Sequence, residues 1–118
     1  HGITDVIRAR DLLDSSARQK QLYDLLEWDA PNWWHLPIVV GEDGRRLAKR
    51  HGDTRVLYFK EQGVSKEKII GLIAYWCTFQ EHRTPMILEN FLEVYNSPAI
   101  PRDTITCTKE DIKWLLDT

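Results

Sequence analysis

Sulfur is scarce in this sequence, with two cysteines, Cys77 and Cys107, and a single methionine among 118 residues. No C-x-x-C unit is present, and a structural zinc site needs four ligands, so nothing in the chain signals one. A disulfide framework is equally unsupported, and Cys77 is expected to be a buried, reduced thiol. Long apolar runs are missing too. None approaches the ~20 residues that a membrane helix requires, and no basic start leads into a hydrophobic signal core. These absences point away from a membrane and toward a reducing compartment, the cytoplasm. Internal repeats and low-complexity segments are also lacking. A hydrophobic fraction of 42% and a charged fraction of 29% place the chain among ordinary globular proteins, well away from disorder.

Excess charge of one sign is absent overall, since the formal net charge is -2. That balance argues against a protein that coats polyanions generally. The distribution is less even. Within residues 42–60, Arg45, Arg46, Lys49, Arg50, Arg55 and Lys60 face only Glu42, Asp43 and Asp53, six basic against three acidic side chains. Residues 1–41 and 61–118 are both net acidic. A basic island between acidic flanks is what a localised anion site looks like in sequence, although a solvated charged loop gives the same count.

The hydrophobic pattern outlines the elements around this island. Alternating β-branched residues over 3–9 predict a short strand. Ser16 and Gln19 fit a capping box, and Leu22, Leu25 and Leu26 follow at helical spacing, so a helix is expected over about 16–28. Residues 34–40 form a second apolar strand, irregular or at an edge near Pro37 because proline cannot donate to a ladder. Gly41-Glu42-Asp43-Gly44 is turn chemistry that delivers the chain into the island. Helical signals dominate afterwards: a segment over 54–62 closed by Gly63, and a helix capped by Ser65 with a stripe of Ile69, Ile73 and Trp76 and with Ile70, Ala74 and Cys77 beside it. A further helix is expected to open at Thr84-Pro85, with Ile87, Leu88, Phe91, Leu92 and Tyr95 on one face. A last one should open at Thr108 and bury Ile112 with Leu115 or Leu116. Trp28, Trp33 and Trp34 could stack on RNA bases, but packing at the helix end explains them more simply.

The sharpest feature is Gly44-Arg45-Arg46-Leu47-Ala48-Lys49-Arg50-His51-Gly52, where glycines bracket a run that is basic at five positions, His51 included. Phosphate transfer needs mobile, multiply donating cations that follow charge as it develops. Lysine offers a compact point charge and arginine a planar fork. Flanking glycines allow such a loop to open and close.

Arg46-Leu47-Ala48-Lys49-Arg50 resembles the mobile KMSKS loop of class I aminoacyl-tRNA synthetases, in the form used by glutamyl enzymes. The likeness runs almost continuously over residues 2–54. The segment from Ile3 to Gln19 resembles the strand and helix upstream of that loop, and Trp34 to Gly44 the strand and turn leading into it. Residues 55–118 resemble the helical stem-contact domain more weakly, through Gly63-Val64 and the Leu72 to Trp76 helix. Ala48 in place of the usual Ser, the Trp76-Cys77 pair, the Pro101-Arg102 segment and an ending at Trp114-Leu115-Leu116 resemble the shorter glutamyl-queuosine tRNA(Asp) synthetases.

The resemblance implies a mainly α chain in two parts. Residues 1–52 would be the carboxyl-terminal piece of a Rossmann-type catalytic domain carrying the loop, and 53–118 a small α-helical stem-contact-like domain. It also implies ATP-dependent, Mg-assisted adenylation of L-glutamate, followed by transfer to tRNA, with tRNA(Asp) favoured and tRNA(Glu) the alternative. By this likeness Lys49 stabilises charge on the phosphorus and departing pyrophosphate, with Arg46 assisting. Arg50 and His35 lie near ATP, and the backbone of Ile38 and Val39 borders adenine. Arg8 binds the glutamate carboxylate, with Asp11 in the same pocket; without the resemblance, a surface ion pair with Asp5 or Asp11 accounts for Arg8. His35 is equally read as a structural histidine. The family's H-x-G-H motif and its cysteine zinc site have no match in these residues and would lie upstream. The chain alone is therefore expected not to activate glutamate. A fragment of a glutamyl-tRNA synthetase is the nearest alternative, and a noncatalytic tRNA- or protein-binding relic a more distant one.

Overall fold

The computed structural model describes residues 2–117, and for Lys49 the backbone but not the side chain. The chain forms two compact units, residues 1–38 and 39–118. It is helix-rich with short strands.

The first unit is a strand–helix–strand motif. β1 (Asp5–Ala9) and β2 (Asn32–Leu36) run parallel, with Arg8 opposite His35 in register. Parallel neighbours need a long crossover, and here a 3-10 turn (Arg10–Leu12) and α1 (Leu13–Leu25) supply it. The expected capping box at Ser16 does not form. The helix starts at Leu13 with no side-chain cap. The turn at Arg10–Leu12 already winds the chain, and the Ser16 and Gln19 side chains both turn to Arg8 instead. Trp33 is half-buried and meets Tyr23 edge to face at 6.1 Å. Packing does not bury the other two tryptophans: Trp28 is 64% and Trp34 52% exposed.

The apolar run 34–40 breaks at Pro37, and its second half belongs to the other unit. There β3 (Val39–Val40) pairs in parallel with β4 (Ile105–Thr106), a strand too short for any periodicity to reveal. α2 (Val56–Glu61) ends beside Gly63, whose φ of 82° suits a residue without Cβ. α3 (Lys66–Trp76) is capped as expected, with the Ser65 hydroxyl accepting from the Lys68 N–H. Its buried face follows the anticipated stripe at Ile69, Ala74 and Trp76, adds Leu72, and departs from it at Ile73, which is 41% exposed. Phe59, Val64, Leu72 and Leu115 form the core, with Ile69, Tyr75 and Trp76 against it.

No helix opens at Thr84-Pro85. That backbone instead lies against α3, where a Cβ on Gly71 would stand 2.0 Å from the Thr84 carbonyl oxygen. The Thr84 hydroxyl donates to Gln80 Oε1, and its carbonyl accepts from Gln80 Nε2. α4 (Leu88–Val94) follows later, and Phe79, Phe91 and Tyr95 cluster edge-on beside it. α5 (Lys109–Leu116) opens at Thr108 as expected, with a capping box between Thr108 and Asp111. Both cysteines are free, and the buried one is Cys107 rather than Cys77.

Candidate functional site

In the first unit, the register of β1 and β2 places the half-buried Arg8 beside His35, and α1 adds two partners. Arg8 Nε donates to His35 Nε2 at 3.3 Å, one terminal nitrogen to Gln19 Oε1 at 2.8 Å and the other to Ser16 Oγ at 2.5 Å. Ser16 Oγ is also 2.9 Å from His35 Nε2. A guanidinium only donates, so Nε2 of His35 accepts and its proton resides on Nδ1. Three of the five guanidinium N–H bonds are thus held within the motif, which fixes the orientation of the fork. Two of the expected site residues, Arg8 and His35, therefore meet. Ser16 and Gln19 join them, and the only signal for that pair in the sequence was the S-x-x-Q spacing that suggested a cap. Asp11 is exposed in the 3-10 turn, and Ile38 is half-buried just after β2.

In the second unit the basic island is a small hairpin. Val39 and Gly41 pair with Leu47 and Arg45 across it: the Gly41 N–H donates to the Arg45 carbonyl at 2.9 Å and the Leu47 N–H to the Val39 carbonyl at 3.1 Å. Val40 and Arg46 form the antiparallel bridge between these bonds. The turn at the tip closes through the Gly44 N–H on the Gly41 carbonyl. A 3-10 turn, Lys49–His51, then brings the chain back. Arg46 and Arg50 are exposed on this loop, and Arg50 donates to the Arg46 carbonyl at 3.0 Å. The expected charge role of Lys49 rests on a side chain outside the described residues. The hairpin is anchored along its first arm and tip, where the Cys107 N–H donates to the Val40 carbonyl and the Lys109 N–H to Glu42 Oε1.

Residues 1–114 match the sequence profile of the family described as tRNA synthetases class I (E and Q), catalytic domain. The chain belongs to this family. A glutamyl-Q tRNA(Asp) synthetase of Symbiobacterium thermophilum is 38% identical over 114 residues, an alignment covering 97% of this chain and 35% of the relative. A glutamate–tRNA ligase of Helicobacter pylori is 32% identical over the same span, with 25% of its own length covered. The crystal structure of a glutamate-tRNA synthetase from Elizabethkingia anophelis superposes with a TM-score of 0.74, covering 96% of this chain and 27% of that one, at 23% identity, a likeness of fold. The chain thus spans about a third or less of the relatives it matches.

The electrostatics of this loop turn on Asp43. Its carboxyl is held below the usual carboxylate value of 3.8, first by the Arg45 N–H at 2.9 Å and then by His51. Arg50 adds a weaker ion pair at 3.7 Å. Loop residues line two clefts, one of about 520 Å³ that reaches Cys107, Thr108 and Lys109, and one of about 510 Å³ bordered by Leu47, Gly52 and Thr54. Burial, helped by Asp111 and Glu42, pushes the Cys107 thiol up to about 11, so it lines the first cleft as an apolar group. Among the described residues, no three His, Cys, Asp or Glu side chains gather as a metal would require. Likewise among the described residues, no helix is long and apolar enough to cross a membrane.

Proposed function

We propose that this chain is part of an ATP-dependent, glutamate-activating enzyme that passes glutamate to tRNA. The match of residues 1–114 to the synthetase family carries this reading. In it, residues 1–52 form the end of a Rossmann-type catalytic domain whose basic hairpin is the KMSKS-like loop, and residues 53–118 form a stem-contact-like domain. A carboxylate oxygen of glutamate attacks the α-phosphorus of ATP, and pyrophosphate leaves. Lys49 and Arg46 stabilise the negative charge that accumulates on the phosphoryl oxygens, with Arg50 nearby. The backbone of Ile38 and Val39 borders the adenine and His35 lies near the nucleotide, while Arg8 holds a glutamate carboxylate through its fork, with Asp11 in that pocket. Magnesium enters with ATP. The glutamyl group then passes to tRNA. These 118 residues alone do not turn over ATP, because they carry no H-x-G-H motif.

Two acceptors compete. The relative named for tRNA(Asp) is more similar to this chain than the glutamate–tRNA ligase, at 38% against 32% identity, and that supports the queuosine-type acceptor on tRNA(Asp). The alternative is tRNA(Glu). In the complete enzyme, ATP–pyrophosphate exchange should require L-glutamate and fall about a hundredfold or more in Lys49→Ala, and glutamate should be charged onto tRNA(Asp) in preference to tRNA(Glu). Undiminished exchange in Lys49→Ala would sink the role of the loop, and exclusive charging of tRNA(Glu) would reassign the acceptor.

A further inference from the structure

One imidazole ties the basic hairpin to itself. His51 lies at the end of the returning 3-10 turn, half-buried. Its Nδ1 is 3.1 Å from the Ala48 N–H, a group that can only donate, so Nδ1 accepts and the proton sits on Nε2. Nε2 then donates to Asp43 Oδ1 at 2.9 Å, in the turn at the tip of the hairpin. Both ring nitrogens are engaged, and neither is available as a general base. The ring lies against Gly41: a Cβ there would stand 2.5 Å from both Cδ2 and Nε2 of His51. That distance excludes any side chain at position 41 while the ring is in place. Gly41 has no left-handed backbone requirement of its own, so the close approach of the imidazole explains the glycine.

We propose that His51 is a positioning residue for the basic loop, locking the returning 3-10 turn to the hairpin tip through Gly41 and Asp43. The lock sets the backbone from which residues 45–50 project, the stretch that would meet the phosphates of ATP. This deepens the synthetase reading and rests on it for the identity of the ligand, but the lock itself is independent of that reading. The loop is self-braced at rest, and substrate closure has to work against or around this one ring.

Trypsin supplies a direct readout, because Arg45, Arg46, Lys49 and Arg50 are cleavage sites inside the locked segment. His51→Ala and Gly41→Ala should each speed cleavage there about five- to tenfold, the worth of one or two local hydrogen bonds. The double variant should be cut no faster than either single one, because both remove the same lock. His51→Gln, which can still donate to Asp43, should recover part of the protection. In the complete enzyme the single variants should raise the KM for ATP severalfold with a smaller change in kcat. Circular dichroism melting verifies that each variant remains folded. Additive effects of the two substitutions, or unchanged cleavage in His51→Ala, would overturn the lock. Faster cleavage with an unaltered KM for ATP would overturn its positioning role. Loss of the synthetase reading is registered separately, by exchange that survives Lys49→Ala.

Discussion

Arg83 Nε meets Asp111 Oδ1 at 2.5 Å, and the carboxylate is 1% exposed. The same carboxylate accepts from the Trp76 indole N–H at 3.2 Å and the Thr108 N–H at 2.8 Å. One side chain therefore caps α5, ties it to the end of α3 and holds the irregular segment at Arg83, whose guanidinium also lies over the Tyr75 ring at 4.8 Å. At the opposite end of α5, the Lys68 ammonium accommodates the terminal carbonyls of Trp114 and Asp117 and passes 5.3 Å from the Trp114 ring. The helix that anchors the basic hairpin is thus held by a charge of suitable sign at each end.

Asp111→Ala leaves a half-buried guanidinium and two N–H groups without their acceptor. The expected cost is about 3–5 kcal/mol, as for breaking a buried pair. Thr108→Ala removes only the reciprocal half of the capping box and should cost about 1 kcal/mol. Urea denaturation of the two variants should separate them clearly; equal losses would reduce Asp111 to an ordinary cap.

Gly71→Ala sets two effects against each other. Alanine in a helix interior gains about 1 kcal/mol over glycine from propensity alone. The new Cβ would stand 2.0 Å from the Thr84 carbonyl oxygen and 2.9 Å from its carbon, and backbone cannot swing aside as a side chain can. The clash should win, for a net loss of about 1–3 kcal/mol in thermal or urea unfolding. A stabilised variant would mean that residues 84–85 are not pinned to α3.

These two sites also mark what was legible in the sequence. The helix start at Thr108, the Ser65 cap, the Gly63 stop and the β1–α1–β2 order follow from local chemistry, and local chemistry was enough. The stripe on α3 held at Ile69 and Trp76 but not at Ile73, and the helix expected at Thr84-Pro85 failed for a tertiary reason: that backbone packs on Gly71, and the Thr84 hydroxyl goes to Gln80. The same holds at Ser16, whose capping pattern is outbid by the guanidinium of Arg8 arriving from a neighbouring strand. In the basic island the charges were visible as composition. The bracing of the loop by Gly41, Asp43 and His51 depends on a chain reversal, and no spacing rule encodes it.

The two thiols should differ in reactivity. With Cys107 pushed up to about 11 from an ordinary 9.0, its thiolate fraction at pH 8 is lower by about a hundredfold. Cys77 is raised as well, by burial alone, but is only half-buried. Iodoacetamide at pH 8 should therefore label Cys77 first and Cys107 last, as read by peptide mass spectrometry. Preferential labelling of Cys107 would contradict its burial beside α5.

Asp43 should titrate below 3.8 because the Arg45 N–H and His51 both stabilise its carboxylate. A folded value below the unfolded one means the contribution to loop stability is complete above about 3.8 and is lost as the pH falls through the lower folded value. Carbon-detected NMR of the Asp43 side-chain carboxyl gives the midpoint. In His51→Ala the midpoint should rise toward 3.8 without reaching it, since the larger cause, the Arg45 N–H, remains. A midpoint that does not move would place His51 outside the lock.

Arg8→Lys tests the proposed glutamate contact in the first unit. The guanidinium gives one N–H each to His35, Gln19 and Ser16, and in the proposed role its remaining N–H groups meet the glutamate carboxylate. An ammonium cannot hold all three partners and also present a planar fork to a carboxylate. Loss of one or two charge-assisted hydrogen bonds corresponds to a rise in the KM for glutamate of roughly ten- to a hundredfold. The KM for ATP in the same exchange assay should change far less, because the proposed phosphate contacts come from the loop. His35→Gln, which can still accept from Arg8, should retain more glutamate affinity than His35→Leu, which cannot. Equal behaviour of the two His35 variants would leave Arg8 oriented by Ser16 and Gln19 alone, and an unchanged glutamate KM in Arg8→Lys would remove Arg8 from the substrate site altogether.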